Sequence, residues 1–98
     1  KIALVLGGVY VNLGEDQKAQ RIYKRLIGAK TVSEEACLFL GKSYATSKKV
    51  SKAIKVLKQC EKKDPKKGIY SYYIGKIYVD QKKFKTSKRY FKKSIKRQ

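Results

Sequence analysis

Apolar and small side chains recur along this 98-residue chain at a fixed interval of 34 positions. Each copy has an aliphatic residue, then a glycine, then a tyrosine three positions after the glycine. A small residue follows twelve positions past the glycine, and a large apolar residue four positions later. The five columns are Leu6, Leu40 and Ile74; Gly7, Gly41 and Gly75; Tyr10, Tyr44 and Tyr78; Ala19, Ala53 and Ser87; Tyr23, Leu57 and Phe91. An internal repeat of this length predicts a stacked array of repeated units.

The pattern predicts helices at residues 2–13, 16–28, 34–47, 50–63, 68–81 and 83–97. Gly14 and Gly28 fit helix ends, and Asp64 ends the fourth helix because it precedes Pro65. A glycine inside a helix costs about 1 kcal/mol relative to alanine. Its recurrence therefore predicts a close approach of two helix backbones, with Gly41 facing Ala53.

The repeat resembles the tetratricopeptide repeat, in which an L-G-x-x-Y core is followed by a small residue and an aromatic one. The matching cores are Leu6–Tyr10, Leu40–Tyr44 and Ile74–Tyr78. The resemblance implies an all-α, right-handed solenoid of helical hairpins, with six helices in three repeats. The expected organisation is a single array over residues 1–98, with repeats at about 1–33, 34–67 and 68–98.

The last predicted helix is apolar on one face, because it carries Phe84, Tyr90, Phe91 and Ile95. The ends of such arrays normally present a polar outer face. We therefore expect the chain to be a fragment of a longer array. Self-association through its exposed ends is left open.

The family resemblance also implies a concave groove lined by the first helix of each repeat. The positions expected to bind a peptide or a partner helix there are mostly apolar, with two lysines one repeat apart. They are Leu4, Val11, Leu38, Lys42, Ile69, Tyr72, Lys76 and Val79. Of two adjacent tyrosines, Tyr72 is assigned to the groove and Tyr73 to its flank.

One subgroup of the family clamps the C-terminal carboxylate of heat-shock chaperones with cationic and amide side chains. The corresponding positions here hold Leu4, Gly8, Phe39, Ile69 and Tyr73. Since these residues offer almost no hydrogen-bond donors, the clamp function is rejected. The apolar floor favours an amphipathic helix or an extended apolar segment as ligand.

The charge of the chain is unevenly distributed. Residues 1–47 carry a net charge of +3 and residues 48–98 a net charge of +16, which together give +19. Three interpretations stay open: a solvated surface, attraction to an acidic protein or an anionic membrane, and non-specific nucleic-acid binding. Sequence-specific base readout is disfavoured because lysines outnumber arginines 22 to 4.

Cys37 and Cys60 lie on opposite helices of the second hairpin. A disulfide requires Cα atoms within about 7 Å, whereas packed helices are about 8–10 Å apart. We therefore expect two reduced, buried thiols. A disulfide would instead indicate an exported protein.

No catalytic chemistry is apparent in the sequence. The chain has no histidine, no nucleophile elbow and no phosphate-binding loop, and no metal or cofactor is expected. The pattern therefore predicts a protein–protein interaction scaffold with an apolar groove and a basic convex flank, not an enzyme. The alternative is binding of nucleic acid or an anionic membrane through the lysine-rich C-terminal half.

Overall fold

The computed structural model describes residues 2–27 and 34–97. Within those residues the chain forms six α-helices and no strand. They are α1 (Ile2–Asn12), α2 (Asp16–Ile27), α3 (Glu34–Thr46), α4 (Val50–Lys63), α5 (Ile69–Asp80) and α6 (Phe84–Lys96). The all-α prediction is confirmed, and the described helix bounds agree with the predicted ones to within one residue. Gly28, the expected end of α2, lies outside the described residues.

Consecutive helices pair as three hairpins, α1–α2, α3–α4 and α5–α6, and each hairpin packs against the next. The first helices also contact one another, α1 with α3 and α3 with α5. The result is a short stack measuring 36 × 28 × 17 Å. Its first helices form one continuous face, which is where the family resemblance places a groove.

The turn inside each hairpin uses the same left-handed backbone position. Gly14, Lys48 and Lys82, each one repeat apart, have φ of 78°, 62° and 61°. In each turn the next residue donates its N–H to the carbonyl of the repeated tyrosine, as in Lys49 to Tyr44 at 2.8 Å. This arrangement is the Schellman motif, which satisfies the last carbonyls of the helix. It confirms Gly14 as a helix end.

The repeated glycine is explained by a side chain rather than by a facing backbone. A Cβ built on Gly7 would lie 2.7 Å from the Tyr23 ring, and one on Gly41 would lie 3.1 Å from the Leu57 side chain. A side chain at Gly41 would therefore meet Leu57 first, rather than Ala53. The large apolar residue of the second helix packs directly over the glycine of the first.

Cys37 and Cys60 form a disulfide that joins α3 to α4, and both residues are fully buried. The expectation of two reduced thiols is wrong for a geometric reason. The distance of 8–10 Å separates helix axes, but each Cα lies about 2.3 Å from its own axis. Facing Cα atoms are therefore closer than the axes, and here they are 6.4 Å apart.

Candidate binding groove

Helices α3 and α5 enclose a cavity of about 290 Å³ on the face formed by the first helices. Leu57 of α4 also lines it. The lining is mainly apolar, with a few polar groups at the rim. The lining residues are Leu38, Gly41, Lys42, Ala45, Thr46, Leu57, Tyr73, Lys76, Ile77 and Asp80. A concave apolar site with few polar groups is typical of ligand pockets.

Two lysines flank Tyr73 in this cavity. The Nζ atoms of Lys42 and Lys76 each lie 5.5 Å from the centroid of the Tyr73 ring. The i, i+3 spacing from Tyr73 to Lys76 places both side chains on one face of α5. Among the described residues, no carboxylate forms a salt bridge with either lysine. The cavity therefore holds two ammonium groups that an acidic ligand can pair with.

The structure brings together only part of the expected binding set. Leu38, Lys42 and Lys76 line the central cavity. Ile69 and Tyr72 line a separate cavity of about 480 Å³ beside the start of α5 and the end of α6. The remaining expected residues line neither of these two cavities; Leu4 packs against the core, whereas Val11 and Val79 are exposed.

The two adjacent tyrosines line different cavities. Tyr73 lines the central cavity, whereas the Tyr72 ring lies 5.9 Å from that of Phe91 on α6. Both rings are within reach of Lys76, which lies 5.5 Å from each centroid. The spacing from Lys76 alone could not choose between them. The repeat register does not choose either, because Leu38, the equivalent of Tyr72, lines this cavity, whereas Phe39, the equivalent of Tyr73, does not.

A second surface of interest is formed by the outer sides of α4 and α6. These two helices contain one carboxylate, Glu61, and it is buried between α4, α5 and α6. Lysines also surround a half-buried tyrosine pair: Lys58 and Lys93 lie 5.9 and 6.0 Å from the Tyr90 ring, which stacks on Tyr78. The outward-facing lysines of this surface thus have no acidic neighbour on their own helices.

Metal binding and membrane spanning find no support in the part of the chain that the structure describes. Residues 2–27 and 34–97 contain no group of three potential metal-ligating side chains. No helix in these ranges is both long enough and apolar enough to cross a bilayer.

Several solved structures share this architecture. A MamA crystal structure is 25% identical with a TM-score of 0.82, and the match covers 97% of this chain and 56% of that one. MamA from Desulfovibrio magneticus RS-1 is 20% identical with a TM-score of 0.78, and the match covers 96% of this chain and 53% of that one. The type III secretion translocator chaperone SycD of Yersinia enterocolitica is 11% identical with a TM-score of 0.81. That match covers 97% of this chain and 72% of the SycD chain. The chain thus spans about half the length of these MamA structures.

No curated protein sequence matches the chain. Sequence models of the tetratricopeptide repeat, in contrast, match residues 3–35, 34–67 and 70–98. These three matches follow the three hairpins and cover nearly the whole sequence. The chain belongs to the tetratricopeptide repeat family.

Proposed function

We propose that this chain is a protein-interaction scaffold whose central cavity binds an acidic, partly apolar segment of a partner protein. Family membership supports the general role, because tetratricopeptide repeats typically bind proteins and are typically non-enzymatic. The specific ligand chemistry is argued from the cavity itself.

The observation that carries the proposal is the pair of lysines beside Tyr73, neither of which forms a salt bridge among the described residues. Lys42 and Lys76 stand at the rim of an apolar cavity, each 5.5 Å from one ring centroid. An apolar side chain of the ligand would enter between Leu38 and Ile77. Carboxylates next to it would pair with the two ammonium groups, which fixes orientation and raises the association rate.

A defined peptide panel tests this proposal. Two sets of amphipathic helical peptides of about 20 residues share one apolar face, and their polar faces are either acidic or basic. We expect fluorescence anisotropy to show binding of the acidic set alone. Lys42→Glu and Lys76→Glu should each weaken it by about 10-fold or more. Lys55→Glu, an equal charge change on α4 away from the cavity, is the control.

Two outcomes would reject the groove. Equal binding of the acidic and basic peptides would show that the two lysines do not select the ligand. An effect of Lys55→Glu as large as that of Lys42→Glu would mean that overall charge, not the cavity, determines binding.

The outer surface of α4 and α6 supports a second candidate, binding of a polyanion such as single-stranded nucleic acid or an anionic membrane. Apart from Lys93, which pairs with Glu61, its lysines form no salt bridge among the described residues, so most of the positive field is not neutralised. Changing Lys85, Lys88, Lys92 and Lys96 to Glu separates the two functions. This change should spare peptide binding and abolish binding to single-stranded DNA and to anionic vesicles.

A further inference from the structure

The central cavity carries a carboxylate as well as two ammonium groups. Asp80, the last residue of α5, lines the cavity and is exposed. Among the described residues it forms no salt bridge. All the residues that line this cavity lie on α3, α4 and α5. The rim therefore presents charges of both signs to a ligand: Lys42 and Lys76 on one hand, and Asp80 on the other.

Asp80 stands at a position where a negative charge does not help the fold. Its equivalents in the two earlier repeats, Asn12 and Thr46, are also the last residues of their helices, and both are uncharged. The C-terminus of a helix carries a partial negative charge, so a carboxylate there is repelled. Residues that break such a local rule are expected at functional sites. A role in binding explains this carboxylate, whereas stability does not.

The positive and negative groups lie toward opposite ends of the cavity. Lys76 Nζ lies 5.5 Å from the centroids of both the Tyr72 and the Tyr73 ring, which precede it on α5. Its ammonium group thus points toward the start of α5, away from Asp80. Lys42 Nζ also lies 5.5 Å from the Tyr73 ring. Since α5 rises by about 10 Å from Tyr73 to Asp80, the cavity has a positive end and a negative end.

We propose that the segment bound in this cavity is itself dipolar, with acidic residues at the Tyr73 end and a basic residue at the Asp80 end. This inference rests on the proposed function and adds the charge order of the ligand. In a ligand helix, about 10 Å corresponds to about seven residues, or two turns. The basic residue therefore lies two turns from the acidic pair, on the same face. Asp80 is then a specificity-determining residue that selects among acidic segments.

A double-mutant cycle between protein and peptide tests the charge order. The peptides are about 20 residues long and share the apolar face and the acidic pair of the acidic set described above. About seven positions from that pair they carry either Lys or Gln, placed after the pair in one series and before it in the other. In one series, the Lys peptide should bind the wild type about 2- to 5-fold more tightly than the Gln peptide at low salt. Asp80→Asn should remove this gain, because an amide carries no charge.

Two controls separate a local contact from overall charge. Glu35→Gln also removes one negative charge, from an exposed residue that does not line the cavity, and should leave the gain unchanged. A peptide with the same lysine on its opposite face should show no coupling with Asp80. Asp80→Asn removes a repelled charge from a helix end, so circular dichroism should show no loss of helix content.

The outcomes distinguish this inference from the proposed function. Coupling between Asp80 and the peptide lysine in one series alone supports the dipolar ligand and fixes the direction of the ligand helix along α5. If the acidic peptides bind but neither series shows coupling, the dipolar ligand is overturned and the proposed function stands. Equal coupling in both series would indicate a general charge effect and would also overturn it. If acidic peptides bind no better than basic ones, the proposed function fails, and this inference fails with it.

Discussion

Glu61 is the residue on which α4, α5 and α6 converge. Its carboxylate accepts hydrogen bonds from Ser71, from Lys93 at 3.3 Å and from Arg97 at 2.8 Å. Burial disfavours the charged form and by itself raises the pKa of Glu61. The hydrogen bonds from Ser71 and Lys93, with the two positive charges, outweigh burial and hold the pKa below its ordinary value.

This lowered pKa predicts a pH-dependent contribution to stability. The carboxylate stabilises the fold fully above its unfolded-state pKa of about 4.3, and that stabilisation is lost as pH falls through the lower folded-state pKa. Glu61→Gln should therefore lower the free energy of unfolding by about 1–3 kcal/mol at neutral pH. Urea denaturation at neutral pH and near pH 3 should show that the difference from wild type shrinks in acid.

The control is Glu35→Gln, an exposed residue with no salt bridge among the described residues. It should change stability little at either pH. An effect of Glu61→Gln that is equally large at both pH values would contradict an ionised Glu61, and would point to packing alone.

At the scale of the helical elements, the disulfide holds the second hairpin together. It joins residues 23 positions apart and should contribute about 3 kcal/mol by restricting the unfolded chain. Replacing both cysteines with alanine should lower the free energy of unfolding by about that amount. Since both residues are fully buried, reductant should act through unfolding rather than on the native state.

Urea denaturation with and without reductant measures this contribution. Reductant should destabilise the wild type and leave the double alanine variant unchanged. If the wild type unfolds at the same urea concentration under both conditions, the disulfide does not stabilise the chain.

The helices themselves were predictable from the sequence because a 34-residue period fixes both the hairpin and its turns. Side-chain pairing between helices was harder to predict. The period places Gly41, Ala53 and Leu57 in one hairpin but does not say which side chain covers the glycine. Likewise, Lys76 lies 5.5 Å from both the Tyr72 and the Tyr73 ring, and the period does not say that Tyr72 contacts Phe91 of α6.

At the scale of the whole molecule, charge is the dominant feature. The chain carries 26 basic and 7 acidic residues. One of these acidic residues, Glu61, forms buried salt bridges with Lys93 and Arg97. Self-repulsion of this kind destabilises a compact state. The positive charge also attracts acidic partners. The same charge that favours binding therefore lowers the stability of the fold.

Salt should therefore stabilise this fold. Raising sodium chloride from about 10 mM to about 150 mM shortens the screening length from about 30 Å to about 8 Å, which relieves repulsion among the lysines of α4 and α6. Thermal unfolding should shift upward by several degrees. Sodium fluoride at equal ionic strength should act alike, because screening does not depend on the anion. A variant with Lys85, Lys88, Lys92 and Lys96 changed to Glu should respond less, and an equal response would show that self-repulsion is not the cause.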